Sequence, residues 1–133
     1  RKINYKINAQ SETSTTPSRT MAISGTLILF FLIVHLYIWY TYQTMDGHQY
    51  FAILLSNEIG YLGHTPTAVF YIMAIFFIGV HLWHGFQSAL KTFGILRSSK
   101  LRFLYSLSFL FWGLIPAGFI VIIISIQMGI ISN

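Results

Sequence analysis

Five histidines, His35, His48, His64, His81 and His84, carry whatever metal chemistry this 133-residue chain can perform, because it has no cysteine. That absence removes disulfide frameworks, thiolate zinc sites, iron–sulfur ligation and thioether-attached haem together. His35, His81 and His84 lie inside long apolar stretches. An imidazole buried in hydrocarbon without a partner is unfavourable, so each of the three is a functional candidate by default. His48 and His64 fall in a polar connection and read as solvated loop residues.

His35 sits in FLIVHLYIWY, among bulky apolar side chains, and is either a ligand or a histidine hydrogen-bonded to a neighbouring helix. The segment IGVHLWHGFQSALKTFG says more. At helical spacing it places His81, Gly85, Ser88 and Thr92 on one stripe, with Ala74 one heptad before His81. Small residues there allow either a flat macrocycle or another helix backbone to approach closely. Counted from the apolar ends of their helices at 1.5 Å per residue, His35 is about 21 Å deep, His81 about 18 Å and His84 about 13.5 Å. Those differences leave open whether His35 and His81 share one iron or serve two.

The elements that must position these side chains are membrane helices. Hydrophobic residues make up 55% of the chain and charged residues only 8%, against roughly a quarter charged in a soluble domain. Three apolar runs, Met21 to about Tyr42, Ala68 to Phe93 and Phe103 to Met128, each exceed the roughly 20 residues that a bilayer requires. None contains Asp, Glu or Arg, and Lys91 is near enough to an end to snorkel. With no water to satisfy loose backbone groups, each run must be helical, and the lack of alternation excludes a β-barrel. The expected fold is therefore an all-α transmembrane helix bundle, with residues 1–20 a polar cytoplasmic segment and 21–133 the membrane domain.

The formal charge of +5 comes from 8 Lys and Arg against 3 Asp and Glu. Scarcity of acids, not abundance of bases, makes the chain basic, which points to a membrane surface and away from nucleic acid. Arg1, Lys2, Lys6 and Arg19 precede the first helix; Lys91, Arg97, Lys100 and Arg102 flank the link between the second and third. The connection from Gln43 to Thr67 has no basic residue and contains Asp46 and Glu58. By the positive-inside rule the N-terminus is cytoplasmic or matrix-facing and Asn133 is outside. Cysteines introduced near Ser11 and Asn57 should accordingly be labelled from opposite sides of the membrane; labelling from the same side would end this topology.

SRTMAISGTLILFFLIVHL followed by HLWHGFQSALKTFG resembles the later helices of the dihaem cytochrome b membrane subunit of succinate:quinone oxidoreductases, in the form common in Bacteroidota. The resemblance runs from Ser18 to about Pro116, and its more specific part is a His, a Gly four residues on and a Gly nine residues further, here His81, Gly85 and Gly94. It implies that His81 is an axial ligand, that His84 is not, and that His35 in its HLY context serves the other haem. It also implies five helices with four axial histidines, so that the partners of His35 and His81 come from missing N-terminal helices or from a second membrane subunit. The segment KINYKINAQSETSTTPSRT looks like the family's loop between the second and third helices, which favours a missing half.

The function implied by that resemblance is electron transfer between an iron–sulfur subunit, docked with a flavoprotein, and membrane quinone through b-type haem, in a bacterial inner membrane or alternatively a mitochondrial one. Two haems are expected in the complete subunit. Arg19, Lys91 and Arg97 then lie where the soluble subunits would dock and haem propionates need cations, although the ordinary reading of each, as a positive-inside anchor, is the stronger one. His84, Gly85 and Ser88 would border the haem. Trp39, Tyr42, Asp46 and His48 on the outer side and Ser18, Arg19 and Lys91 on the inner are equally loose candidates for quinone. A haem-free structural anchor of a respiratory oxidoreductase is the competing reading. A transporter is disfavoured, because no carboxylate lies inside the helices and no inverted repeat is visible.

Overall fold

The computed structural model describes residues 16–94 and 101–132. In chain order these form α1 (Thr16–Tyr42), α2 (Gly47–Leu54), α3 (Thr65–Thr92), α4 (Leu101–Phe109), a π-helical segment (Leu110–Leu114) and α5 (Ile115–Gln127). Among the described residues there is no strand, and three stretches are long and apolar enough to cross a bilayer: Thr20–Tyr40, Thr65–Leu90 and Phe103–Gln127. The all-α class and the three membrane-spanning helices are as the sequence leads one to expect. Most large apolar side chains face outward, Tyr37 at 72% and Phe119 at 55% exposure among them. In water that would be untenable; in a bilayer it is the lipid- or partner-facing surface.

The long helix α3 is the centre of the bundle, packing against α1 on one side and against α4, the π segment and α5 on the other. Phe31, Ala68, Ala74, Leu90, Ile123 and Ile126 are buried, as are the small polar residues Ser24 and Ser108. Each of these serines returns its hydroxyl to a backbone carbonyl three residues back, Ser24 to Met21 at 3.1 Å and Ser108 to Tyr105 at 2.8 Å. That is how a hydroxyl is satisfied in an apolar interface.

Several boundaries differ from those expected. α1 starts at Thr16, so residues 16–20 of the segment read as polar and cytoplasmic are helical. Pro17 does not prevent this, because a proline in the first turn lacks only an N–H that would be unpaired anyway. Residues 1–15, with the basic residues Arg1, Lys2 and Lys6, lie outside the described residues, as do Arg97 and Lys100. α3 begins at Thr65 and is closed by Gly94, whose φ of +68° is the left-handed conformation that commonly follows a helix C-terminus.

The third span is not one regular helix. Pro116 has no N–H to offer the Trp112 carbonyl four residues back, and immediately before it the chain widens into the π segment, where the Ile115 N–H reaches the Leu110 carbonyl. The freed Trp112 carbonyl faces α3 at Gly79, where a Cβ would stand only 2.8 Å from it. Gly79 is therefore a point of close approach between α3 and the third span, and any side chain there would push them apart.

At the end of the bundle opposite Arg19 and Lys91 the polar connection is tied down. α2 is capped by Asp46, whose carboxylate accepts from the His48 N–H at 3.2 Å. Gln127, at the end of α5, donates to the carbonyls of Leu62 (2.6 Å) and Gly63 (3.0 Å) and accepts from the Thr65 hydroxyl (2.9 Å). Tyr61 is buried against Tyr42, ring centroids 5.4 Å apart. Desolvation, and then its hydrogen bond with Tyr42, hold the Tyr61 phenol well above its ordinary range, so it stays neutral. The weakly signalled outer helix expected near Tyr50 to Leu55 is thus present as α2, shifted three residues earlier at its start.

Candidate functional site

α1 and α3 run antiparallel; α1 carries His35 and α3 carries His81, each together with the hydroxyl partner of the other. Ser24 Oγ on α1 lies 3.1 Å from His81 Nδ1 on α3. Tyr71 OH on α3 lies 3.3 Å from His35 Nδ1 on α1. Interhelical hydrogen bonds in membranes contribute about 0.6 kcal/mol on average, so neither contact is what holds the bundle together. Their value is positional, since each fixes one ring nitrogen and leaves the other uncommitted.

This reciprocity settles the relative levels that helix arithmetic left open. Ser24 and His35 are 11 residues apart on α1, and Tyr71 and His81 are 10 apart on α3. At 1.5 Å per residue the two imidazoles stand about 15 Å apart along the bundle. One iron gripped by both would need two bonds of about 2 Å, hence nitrogens about 4 Å apart. His35 and His81 cannot meet that condition. Depths counted from the apolar ends were misleading because the ends of α1 and α3 are not level: His81 is level with Ser24, close to the start of the first span, and His35 is level with Tyr71, near the Thr65 end of the second.

His35 is held by aromatic neighbours. Its ring stacks on buried Phe31 (centroids 5.5 Å, 23° between planes) and meets the edge of Tyr71 at 5.9 Å, while the residue as a whole stays exposed. Phe70 and Tyr71 pack on Phe31 in turn, at 6.0 and 5.1 Å. The ring plane is therefore fixed from one side and open on the other.

His81 is half-buried and borders a groove of about 520 Å³ between α3 and the α4–π segment, lined by Gly85, Phe86, Ala89, Ser108, Phe111 and Trp112. A Cβ on Gly85 would meet nothing within 4 Å. The stripe read from the sequence thus divides. Ala74 is buried, as a helix contact should be, whereas Gly85 borders open space and Ser88 is exposed, its carbonyl taking the Thr92 hydroxyl at 3.1 Å. A b-type haem would need an imidazole with a free ring nitrogen and apolar space beside it; His81, with Nδ1 held by Ser24, and the apolar groove at Gly85 are compatible with that need. The groove's volume falls within the roughly 300–1,000 Å³ usual for ligand pockets.

His84 belongs elsewhere. It lines a separate groove with Thr20, Ile23, Ser24, Phe77 and Val80, and its ring stacks on Trp83 with centroids 4.8 Å apart. Ser24 lies between the two, hydrogen-bonded to His81 and bordering the groove of His84. Arg19 and Lys91 lie on α1 and α3 by their backbones, and their side chains fall outside the described residues. Of the loose quinone candidates, Tyr42 and Asp46 have structural duties against Tyr61 and at the start of α2, and His48 supplies only its backbone N–H to that cap. Among the described residues no three His, Cys, Asp or Glu side chains cluster as they would around a bare metal ion.

Sequence reasoning missed Ser24, Tyr71 and Gln127. Ser24 lies inside the SRTMAISG stretch that carries part of the resemblance, but its pairing with His81 depends on the register of two helices, which spacing along one helix does not encode.

Comparison with known proteins agrees with this architecture. No match is found among curated proteins or among solved structures. The family model for the succinate dehydrogenase/fumarate reductase transmembrane subunit matches residues 4–115, spanning α1, α2, α3, α4 and the π segment. With three membrane-spanning helices and a match over most of its length, the chain belongs to the family of succinate dehydrogenase/fumarate reductase transmembrane subunits.

Proposed function

We propose that this chain conducts electrons between an iron–sulfur subunit and membrane quinone through b-type haem, with His35 and His81 as axial ligands of two different haems. The observation that carries the reading is the reciprocal placement of the two imidazoles about 15 Å apart, each fixed at Nδ1 by a hydroxyl from the facing helix. Held by two imidazoles, a b-type haem would supply one-electron chemistry without binding substrate. The chain's own contribution is to fix ring orientation through Ser24 and Tyr71, to leave space beside Gly85, and to keep the surroundings apolar. Each iron is completed by a histidine from outside these three helices, on further N-terminal helices or on a second membrane subunit.

The soluble flavoprotein and iron–sulfur subunits dock at the basic end, beside Arg19 and Lys91, and the assembly sits in a bacterial inner membrane. The hydrogen bonds of His35 and His81 also suit a haem-free anchor, in which the imidazoles only tie helices together. A haem-to-protein ratio on the purified complex, with identification of its co-purifying chains, decides between them. Two b-type haems per chain with sharp reduced absorption bands are expected; a complex that purifies intact with none would establish the anchor.

A further inference from the structure

The hydroxyl of Ser24 has one proton and two neighbours, the Met21 carbonyl at 3.1 Å and His81 Nδ1 at 3.1 Å. The carbonyl can only accept. An imidazole nitrogen can donate or accept, depending on the tautomer. Both contacts are satisfied together in one arrangement only: Ser24 donates to Met21, and His81 donates from Nδ1 to Ser24. Any other assignment leaves one of the contacts without a proton in an apolar interface where Ser24 is 5% exposed. An imidazole protonated at Nδ1 carries its lone pair on Nε2, and among the described residues Nε2 of His81 has no hydrogen-bond partner.

We infer that Ser24 is a positioning residue that fixes His81 in the Nδ1–H tautomer and so presents the Nε2 lone pair to iron. The inference rests on the proposed ligation by His81 and deepens it. It assigns a role to a residue that touches no haem itself. A hydrogen bond from Nδ1–H to an oxygen also makes the imidazole a stronger donor, which favours the ferric over the ferrous ion. Ser24 therefore sets both which nitrogen binds and how oxidising the iron is. Tyr71 is not equivalent to it: among the described residues nothing else takes the phenol proton, so the His35 pair is free to form in either direction.

The test uses the assembled complex carrying Ser24→Ala, Ser24→Thr or His81→Ala, read by redox titration and by low-temperature spectra of each haem. Ser24→Ala is expected to retain both haems while the one assigned to His81 becomes easier to reduce, by about tenfold in the reduced-to-oxidised ratio at fixed poise, equivalent to 59 mV for a one-electron couple. Ser24→Thr, which keeps the hydroxyl, should restore the wild-type potential, and the other haem should not move in either variant. Loss of a haem from His81→Ala together with an unchanged potential in Ser24→Ala would overturn the role of Ser24 and leave ligation by His81 standing. Retention of both haems in His81→Ala would overturn ligation by His81, and the role of Ser24 with it. A shift of both haems alike in Ser24→Ala would mark Ser24 as a packing residue and also overturn the inference.

Discussion

His81→Ala is expected to remove one of two haems and halve the haem-to-protein ratio, whereas His84→Ala should keep both and at most shift a potential. The two histidines are three residues apart on one helix, about 4.5 Å in depth and about 60° in direction, and they border different grooves. His81 has its Nδ1 held by Ser24 and borders the groove beside Gly85, where a macrocycle meets no Cβ. His84 borders a different groove with its ring stacked on Trp83, and among the described residues no side chain of a facing helix makes a hydrogen bond to it. Removing a ligand costs the iron a bond; removing a stacked neighbour changes packing and local polarity only. Reduced-minus-oxidised spectra of the two variants check this, with the remaining haem reporting that the protein has folded. Loss of haem from His84→Ala with retention in His81→Ala would reverse the assignment.

Much of the fold was legible because hydrophobicity on a membrane scale is a strong signal. Runs of more than 20 apolar residues leave the backbone no alternative to helix. The ends were less legible: residues 16–18 read as loop, yet Thr16 opens α1, because Pro17 marks a helix start as readily as a break. The third span was read as one regular helix, and the π segment was not foreseen. Its cause, Pro116 releasing the Trp112 carbonyl toward Gly79, joins residues more than thirty positions apart. For the site, spacing along α3 put Gly85 one turn beyond His81, where the structure has open space, and His81 and His84 border different grooves. Spacing could not reveal Ser24 or Tyr71, since these are set by the register of α1 against α3. The same register explains why depth arithmetic failed for His35, for the apolar ends of two helices are level only when their connections make them so.

Replacing His35 with alanine is expected to remove the other haem alone, leaving the His81 haem with its spectrum and potential intact. The argument is one of distance. An iron shared by His35 and His81 requires their nitrogens about 4 Å apart, yet the pairs His81–Ser24 and His35–Tyr71 place the imidazoles about 15 Å apart along the same two helices. Sliding α1 along α3 far enough to bring them together would take about ten residues of register shift, which would break both hydrogen bonds and strip Phe31 of its contacts with Phe70 and Tyr71. His35 also lies seven residues before Tyr42, in the outer half of α1, among the aromatic side chains Trp39, Tyr40 and Tyr42 that favour the membrane interface. His81 lies level with Ser24 toward the basic end. The outer haem should thus be lost from His35→Ala and the inner one from His81→Ala, and a double variant should lose both. Tyr71→Phe, which removes the hydroxyl at His35 Nδ1 but preserves the ring packed on Phe31, should perturb only the haem lost from His35→Ala. Loss of all haem from a still-assembled His35→Ala complex, or a ratio of one haem per wild-type complex, would show that the two histidines serve a single iron and that the register of α1 on α3 differs from the one described.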